Sequence, residues 1–121
     1  MDERIILVID DDEAHLECTR DLLEDEGLRV MVHRGAFGAT ERVMSAKPAL
    51  VLLDVNMPAL SGEGLARLFH ERFPATAVLL LSSNDEDALR RSAEKVGAAG
   101  FVCKGDPADL RRRVRSVLGR P

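Results

Sequence analysis

Three five-residue apolar runs, 5–9 (Ile5-Ile6-Leu7-Val8-Ile9), 49–53 and 77–81, each pass directly into aspartate or serine. Runs this short cannot span a membrane, and their turn-prone flanks argue against continuous helix. An unbroken apolar run of strand length is a strand with both faces covered, which is the habit of parallel sheets packed between helices. The chain is thereby steered toward an α/β fold with its polar groups gathered at the ends of strands.

The intervening segments fit that expectation. After the first run and its acids, spacing 15, 18, 19, 22, 23 (His15, Cys18, Thr19, Leu22, Leu23) reads as a helical stripe closed at Gly27. On that stripe His15 reads as a packed or partly covered histidine rather than a ligand. Residues 28–33 read as a weaker strand. Residues 35–46 read as a helix through Phe37, Val43 and Met44, although Gly35 and Gly38 disfavour it. Residues 62–72 form an amphipathic pattern with Leu65, Leu68 and Phe69, stopped by Pro74. Ser83-Asn84-Asp85-Glu86 has the form of a capping box, placing Ser83 at the N-cap of a helix over 85–96 that ends at Gly97. Gly100-Phe101-Val102-Cys103 is a short strand ending at Lys104. Asp106 and Pro107 then suit the N-cap and N1 of a last helix with stripe Leu110, Val114, Val117 and Leu118. Five strands alternating with five helices predict a doubly wound parallel sheet with right-handed crossovers, as one domain over 1–121.

Composition adds exclusions. No apolar run approaches 18 residues and no signal peptide precedes the first strand, so a cytoplasmic chain without a membrane partner is expected. Cys18 and Cys103 lack CxxC spacing and read as buried thiols rather than a disulfide or zinc site. The net charge of −4 argues against direct nucleic-acid binding. Eleven of the 21 acidic residues fall in the first 26 positions, whereas Arg111, Arg112, Arg113 and Arg115 crowd the last helix. That arginine run is a local contact face or a solvated helix surface.

In a parallel sheet ligands collect outside the carboxyl ends of the strands. Asp10 and Asp11, Asp54, Ser82 and Lys104 all fall at such ends. Carboxylates this close cannot all ionise cheaply, and a hard divalent cation such as Mg²⁺ relieves the conflict. A hydroxyl and an ammonium at the same rim suit phosphoryl transfer, for which a carboxylate can itself be the nucleophile.

With those residues in place, the sequence resembles the receiver domain of two-component response regulators across essentially its whole length. The matching residues are Asp10-Asp11, Asp54-Val55-Asn56-Met57-Pro58 with Gly62, Ser82, Lys104, and Phe101 three residues before the lysine. The resemblance implies a flavodoxin-like sheet of order 2-1-3-4-5 and phosphorylation of Asp54 by a histidine kinase or a histidine phosphotransfer protein. It implies Mg²⁺ held by Asp11, Asp54 and the Asn56 carbonyl, with Asp10 acting through water. Ser82 and Lys104 would take the phosphoryl oxygens, and Ser82 and Phe101 would form a switch in which the ring turns inward on phosphorylation. The responding face would join the fourth helix, fifth strand and fifth helix, carry Arg90, Arg91, Lys95, Arg111, Arg112 and Arg115, and bind an effector or a second copy. Two departures stand out: Gly105 replaces the family's proline after the lysine, and Ser82 replaces the commoner threonine. A phosphatase of haloacid-dehalogenase type is the enzymatic alternative, but it needs a second aspartate where Asn56 stands. A receiver-like module that never sees phosphate would leave the intact acidic site unexplained. A nucleotide-binding module fits worst, because GxGxxG and Walker loops are absent and the acids would repel a pyrophosphate.

Overall fold

The computed structural model describes residues 3–57, 62–83 and 86–119. The chain runs β1 (Ile5–Asp10), α1 (Glu13–Glu24), β2 (Arg29–Arg34), α2 (Ala39–Ala46), β3 (Leu50–Asp54), α3 (Gly62–Arg72), β4 (Ala77–Ser82), α4 (Glu86–Val96), β5 (Gly100–Cys103) and α5 (Pro107–Leu118). All strand pairings are parallel, in the order β2-β1-β3-β4-β5. The expected flavodoxin-like α/β architecture is therefore present. Among the described residues no helix is long and apolar enough to cross a membrane.

The strand period of two splits the core between the faces of the sheet. Ile6, Val8, Leu50, Leu52, Leu79, Leu81 and Val102 pack with Leu16 and Leu23 of α1 and with Leu110, Val114 and Leu118 of α5. Leu7, Ile9, Val51, Leu53, Val78, Leu80 and Phe101 pack with α2, α3 and α4, where Phe69 is fully buried. Central β3 is buried at all five positions, whereas edge strand β2 is half-covered along its length. This is why 28–33 carries the weaker apolar signal.

Several local expectations need correction. The second helix begins at Ala39 rather than residue 35, because Gly35 and Gly38 both take a left-handed φ of +77° that a helix cannot use. Phe37 consequently stands 96% exposed and Met44 lies on the outer side; Ala39 and Val43 are the helix's buried residues. In α1 the buried residues are Leu16, Thr19 and Leu23, so the inward stripe is turned from the expected one. Cys18 is exposed and Cys103 half-buried, so neither is the buried thiol expected; both are free. Helix α1 ends at Glu24, ahead of Gly27. At α5 the expectation is met: the Asp106 side chain accepts from the Asp109 amide, and Pro107 opens the helix. Asn84 and Asp85, the inner positions of the expected capping box, and Pro58 of the central motif lie outside the described residues.

Candidate functional site

The same strand parity assembles the site. Two residues beyond Val8, Leu52 and Val102, on the face covered by α1 and α5, come Asp10, Asp54 and Lys104. Two residues beyond Leu80 comes Ser82, on the opposite face, which it shares with Phe101. The parallel register brings these strand ends to one rim, pairing Asp54 with Leu81 and Ser82 with Cys103.

Lys104 Nζ lies 3.2 Å from Asp10 Oδ2 and 3.2 Å from Asp54 Oδ2, tying the two carboxylates together. Both are excluded from solvent, at 0% and 1% exposure. Each has further donors. The Asp12 amide donates to Asp10 Oδ1 at 3.0 Å, and His15 Nδ1 donates to Asp10 Oδ2 at 2.5 Å. The Asn56 amide donates to Asp54 Oδ1 at 2.9 Å, while Asn56 Nδ2 donates to Ser82 Oγ at 3.0 Å.

These surroundings separate the two acids. Burial pushes Asp54 above the ordinary carboxylate range and neighbouring Asp10 adds to the rise; the Asn56 amide and Lys104 offset it only in part. Burial also pushes Asp10 upward, but hydrogen bonds from His15 and the Asp12 amide, with the Lys104 charge, outweigh it and hold Asp10 well below that range. Burial favours neutral Lys104, yet the two aspartates more than reverse this and keep its ammonium charged. One carboxyl up and its neighbour down is the signature of like charges sharing a site.

Asp10, Asp11 and Asp54 each offer a carboxylate oxygen, and these oxygens lie within 4.8 Å of one another. Three carboxylates face the single positive charge of Lys104, so charge remains for a cation to neutralise. An all-oxygen donor set suits a hard divalent ion such as Mg²⁺. The residues fit the group.

The structure thus gathers Asp10, Asp11, Asp54, Asn56, Ser82 and Lys104 at one rim. Phe101 sits apart, on the α4 side, and is buried at 5% exposure. Arg113 and Arg90 hold it there, with guanidinium carbons 4.9 Å and 5.9 Å from the ring centroid. The basic face differs from the expected one. Arg111 and Arg115 reach back to Glu26, after α1, and Arg112 pairs with Asp109 on its own helix. Arg113, absent from the expected set, borders Phe101 together with Arg90, which the set included. Residues 111 and 115 share one side of a helix, and 113 projects from another. The bond between His15 and Asp10 was also missed, although a histidine one turn into the helix after an acidic strand end was a usable signal. Gly105, with φ +85° and open space where a side chain would begin, takes a backbone conformation closed to the proline usual in the resembled family.

The sequence matches the family described as "Response regulator receiver domain" over residues 6–115. It is 35% identical over 114 residues to the transcriptional regulatory protein FixJ of Azorhizobium caulinodans, covering 93% of this chain and 54% of that protein. It is 34% identical over 106 residues to a protein-glutamate methylesterase/protein-glutamine glutaminase of Archaeoglobus fulgidus, covering 85% of this chain and 30% of that protein. The chain therefore spans about half or less of the length of these relatives. In structure it superposes on the chemotaxis response regulator CheY4 of Vibrio cholerae with a TM-score of 0.86 at 22% identity, covering 96% of this chain and 99% of that one.

Proposed function

The chain belongs to the response regulator receiver domain family of two-component signalling, and from that premise we propose that residues 1–121 form a phosphoacceptor domain with Asp54 as its acceptor. The observation that carries this reading is Lys104 Nζ at 3.2 Å from both Asp54 and Asp10, with the Ser82 hydroxyl at the same rim, accepting from Asn56 Nδ2. An Asp54 carboxylate oxygen forms a bond to phosphorus as the bond from phosphorus to the donor's imidazole nitrogen breaks; that nitrogen leaves with the bonding pair and takes a proton. Lys104 and Ser82 are the groups that turn to the transferred oxygens. Each already has a partner: Lys104 its two carboxylates, and Ser82 Oγ the side-chain Nδ2 of Asn56 that donates to it. Asp10, Asp11 and Asp54, with the Asn56 carbonyl, would hold Mg²⁺, which neutralises charge on the phosphoryl oxygens when bound.

The donor is a phosphohistidine on a histidine kinase or a histidine phosphotransfer protein. The domain catalyses its own phosphorylation and the slow hydrolysis of the resulting Asp54 acyl phosphate without turning over an outside substrate, because Asn56 supplies no acid–base carboxyl where a phosphatase needs one. Ser82 carries the change to the α4–β5–α5 face through its shared side of the sheet with Phe101, and that face controls an attached effector, a partner or a second copy. In acetyl phosphate and Mg²⁺ the intact mass should rise by one phosphoryl group, and Asp54→Asn should abolish the gain. Full modification of that variant would overturn the assignment.

A further inference from the structure

Asp10 is a fully buried carboxylate whose Oδ2 serves two donors, His15 Nδ1 at 2.5 Å and Lys104 Nζ at 3.2 Å. Its Oδ1 accepts from the Asp12 amide at 3.0 Å. Lys104 divides itself between Asp10 and Asp54, so any group that draws the ammonium away weakens its hold on both acids at once. A buried carboxylate that loses a donor bears a large desolvation cost unless another remains. His15 is that remaining donor on Oδ2. Its place is set by α1: the Asp12 side chain caps the helix by accepting from the amides of Ala14 and His15, which fixes the first turn and aims the ring back at the strand end.

We propose that His15 is a positioning residue for the cation site: it fixes the Asp10 carboxylate so that the site keeps its divalent ion while Lys104 is released toward the phosphoryl group. This rests on the reading of Asp54 as a Mg²⁺-dependent phosphoacceptor. Outer donors of this kind orient metal-binding groups, and their loss weakens metal binding roughly 10–100-fold. His15 acts through Asp10 and touches neither the phosphoryl group nor the ion.

Three proteins test it: wild type, His15→Leu and His15→Asn. Leucine removes the donor, and the apolar cavity of about 110 Å³ that His15 lines with Thr19, Leu22 and Leu110 accommodates it. Asparagine places an N–H close to the position of Nδ1. Calorimetric Mg²⁺ titration should show about tenfold weaker binding for His15→Leu, with most of the loss restored in His15→Asn. Phosphorylation of His15→Leu by acetyl phosphate should recover at saturating Mg²⁺, which general structural damage would not permit. A wild-type isotherm that His15→Leu reproduces overturns this inference alone. A leucine defect that neither Asn nor saturating Mg²⁺ relieves also overturns it. Absence of Mg²⁺ binding by the wild type overturns the parent reading together with this one.

Discussion

The two faces of the sheet end differently at the same rim. On the side covered by α1 and α5, the rows of Val8, Leu52 and Val102 run out into Asp10, Asp54 and Lys104. On the side covered by α3 and α4, the row of Leu80 runs out into Ser82, and Phe101 packs beneath it. The first ending is held by charge, the second by packing and by two guanidinium groups over one ring. Charge responds to what binds, while a packed ring has few positions and moves between them discretely. Under the proposed function, chemistry lies on one face and readout on the other, with Ser82 at the crossing through its bond from Asn56.

The sharpest way to break this contrast is to remove the charge. Lys104→Met leaves two buried carboxylates facing each other without their shared ammonium, and loss of one partner from a buried pair costs about 3 kcal/mol in metal-free buffer. Urea denaturation with and without Mg²⁺ should show that loss and its partial reversal by the ion. A cost below that of an arginine substitution on the other face would remove the distinction.

A smaller effect comes from Asp54. Its carboxyl titrates above the ordinary range when folded, so the stability this group lends is full below its unfolded pKa of about 3.9 and is lost as pH rises through the folded value. Depressed Asp10 acts in the opposite sense: its contribution is present above the unfolded pKa and lost as pH falls through the folded one. Asp54→Asn removes the first contribution and keeps an acceptor for the Asn56 amide. In chelator the variant should be more stable than wild type at pH 7, with the gap closing toward pH 4. Melting curves across that range that stay parallel would show that burial at Asp54 is not the dominant influence.

The smallest effect is expected on the packed face. Arg113→Ala should cost about 0.5–1 kcal/mol, the scale of a cation over an aromatic ring. It should also loosen Phe101, read as faster amide exchange in β5 and α4 with the Mg²⁺ affinity unchanged. Equal loosening of the Asp54 loop would mean that the two faces are not separable.

Legibility in the sequence followed the range of the forces involved. The three apolar runs announced the strands because burial on both faces requires unbroken apolar side chains. Asp10, Asp54 and Ser82 announced the rim because each directly ends such a run, and Lys104 because it follows the short strand 100–103. The start of the second helix misled, since Val43 and Met44 suggest a period that the backbone of Gly35 and Gly38 interrupts. Cys18 misled in a similar way, as a weakly amphipathic stripe leaves its exact facing to the neighbours it meets.

The sequence by itself determined the order of elements, the sheet's two-sided burial and the residues at its rim, because these depend on local period and on which side chains avoid water. Only the tertiary structure decided which partners those residues take. That Lys104 divides itself between two acids, that His15 rather than solvent holds Asp10, and that Arg113 covers Phe101 while Arg111 and Arg115 turn to Glu26 are matters of distance across separate elements. Hydrogen bonds and ion pairs act over a few ångströms, and no pattern along the chain encodes a separation that exists only after the helices have docked.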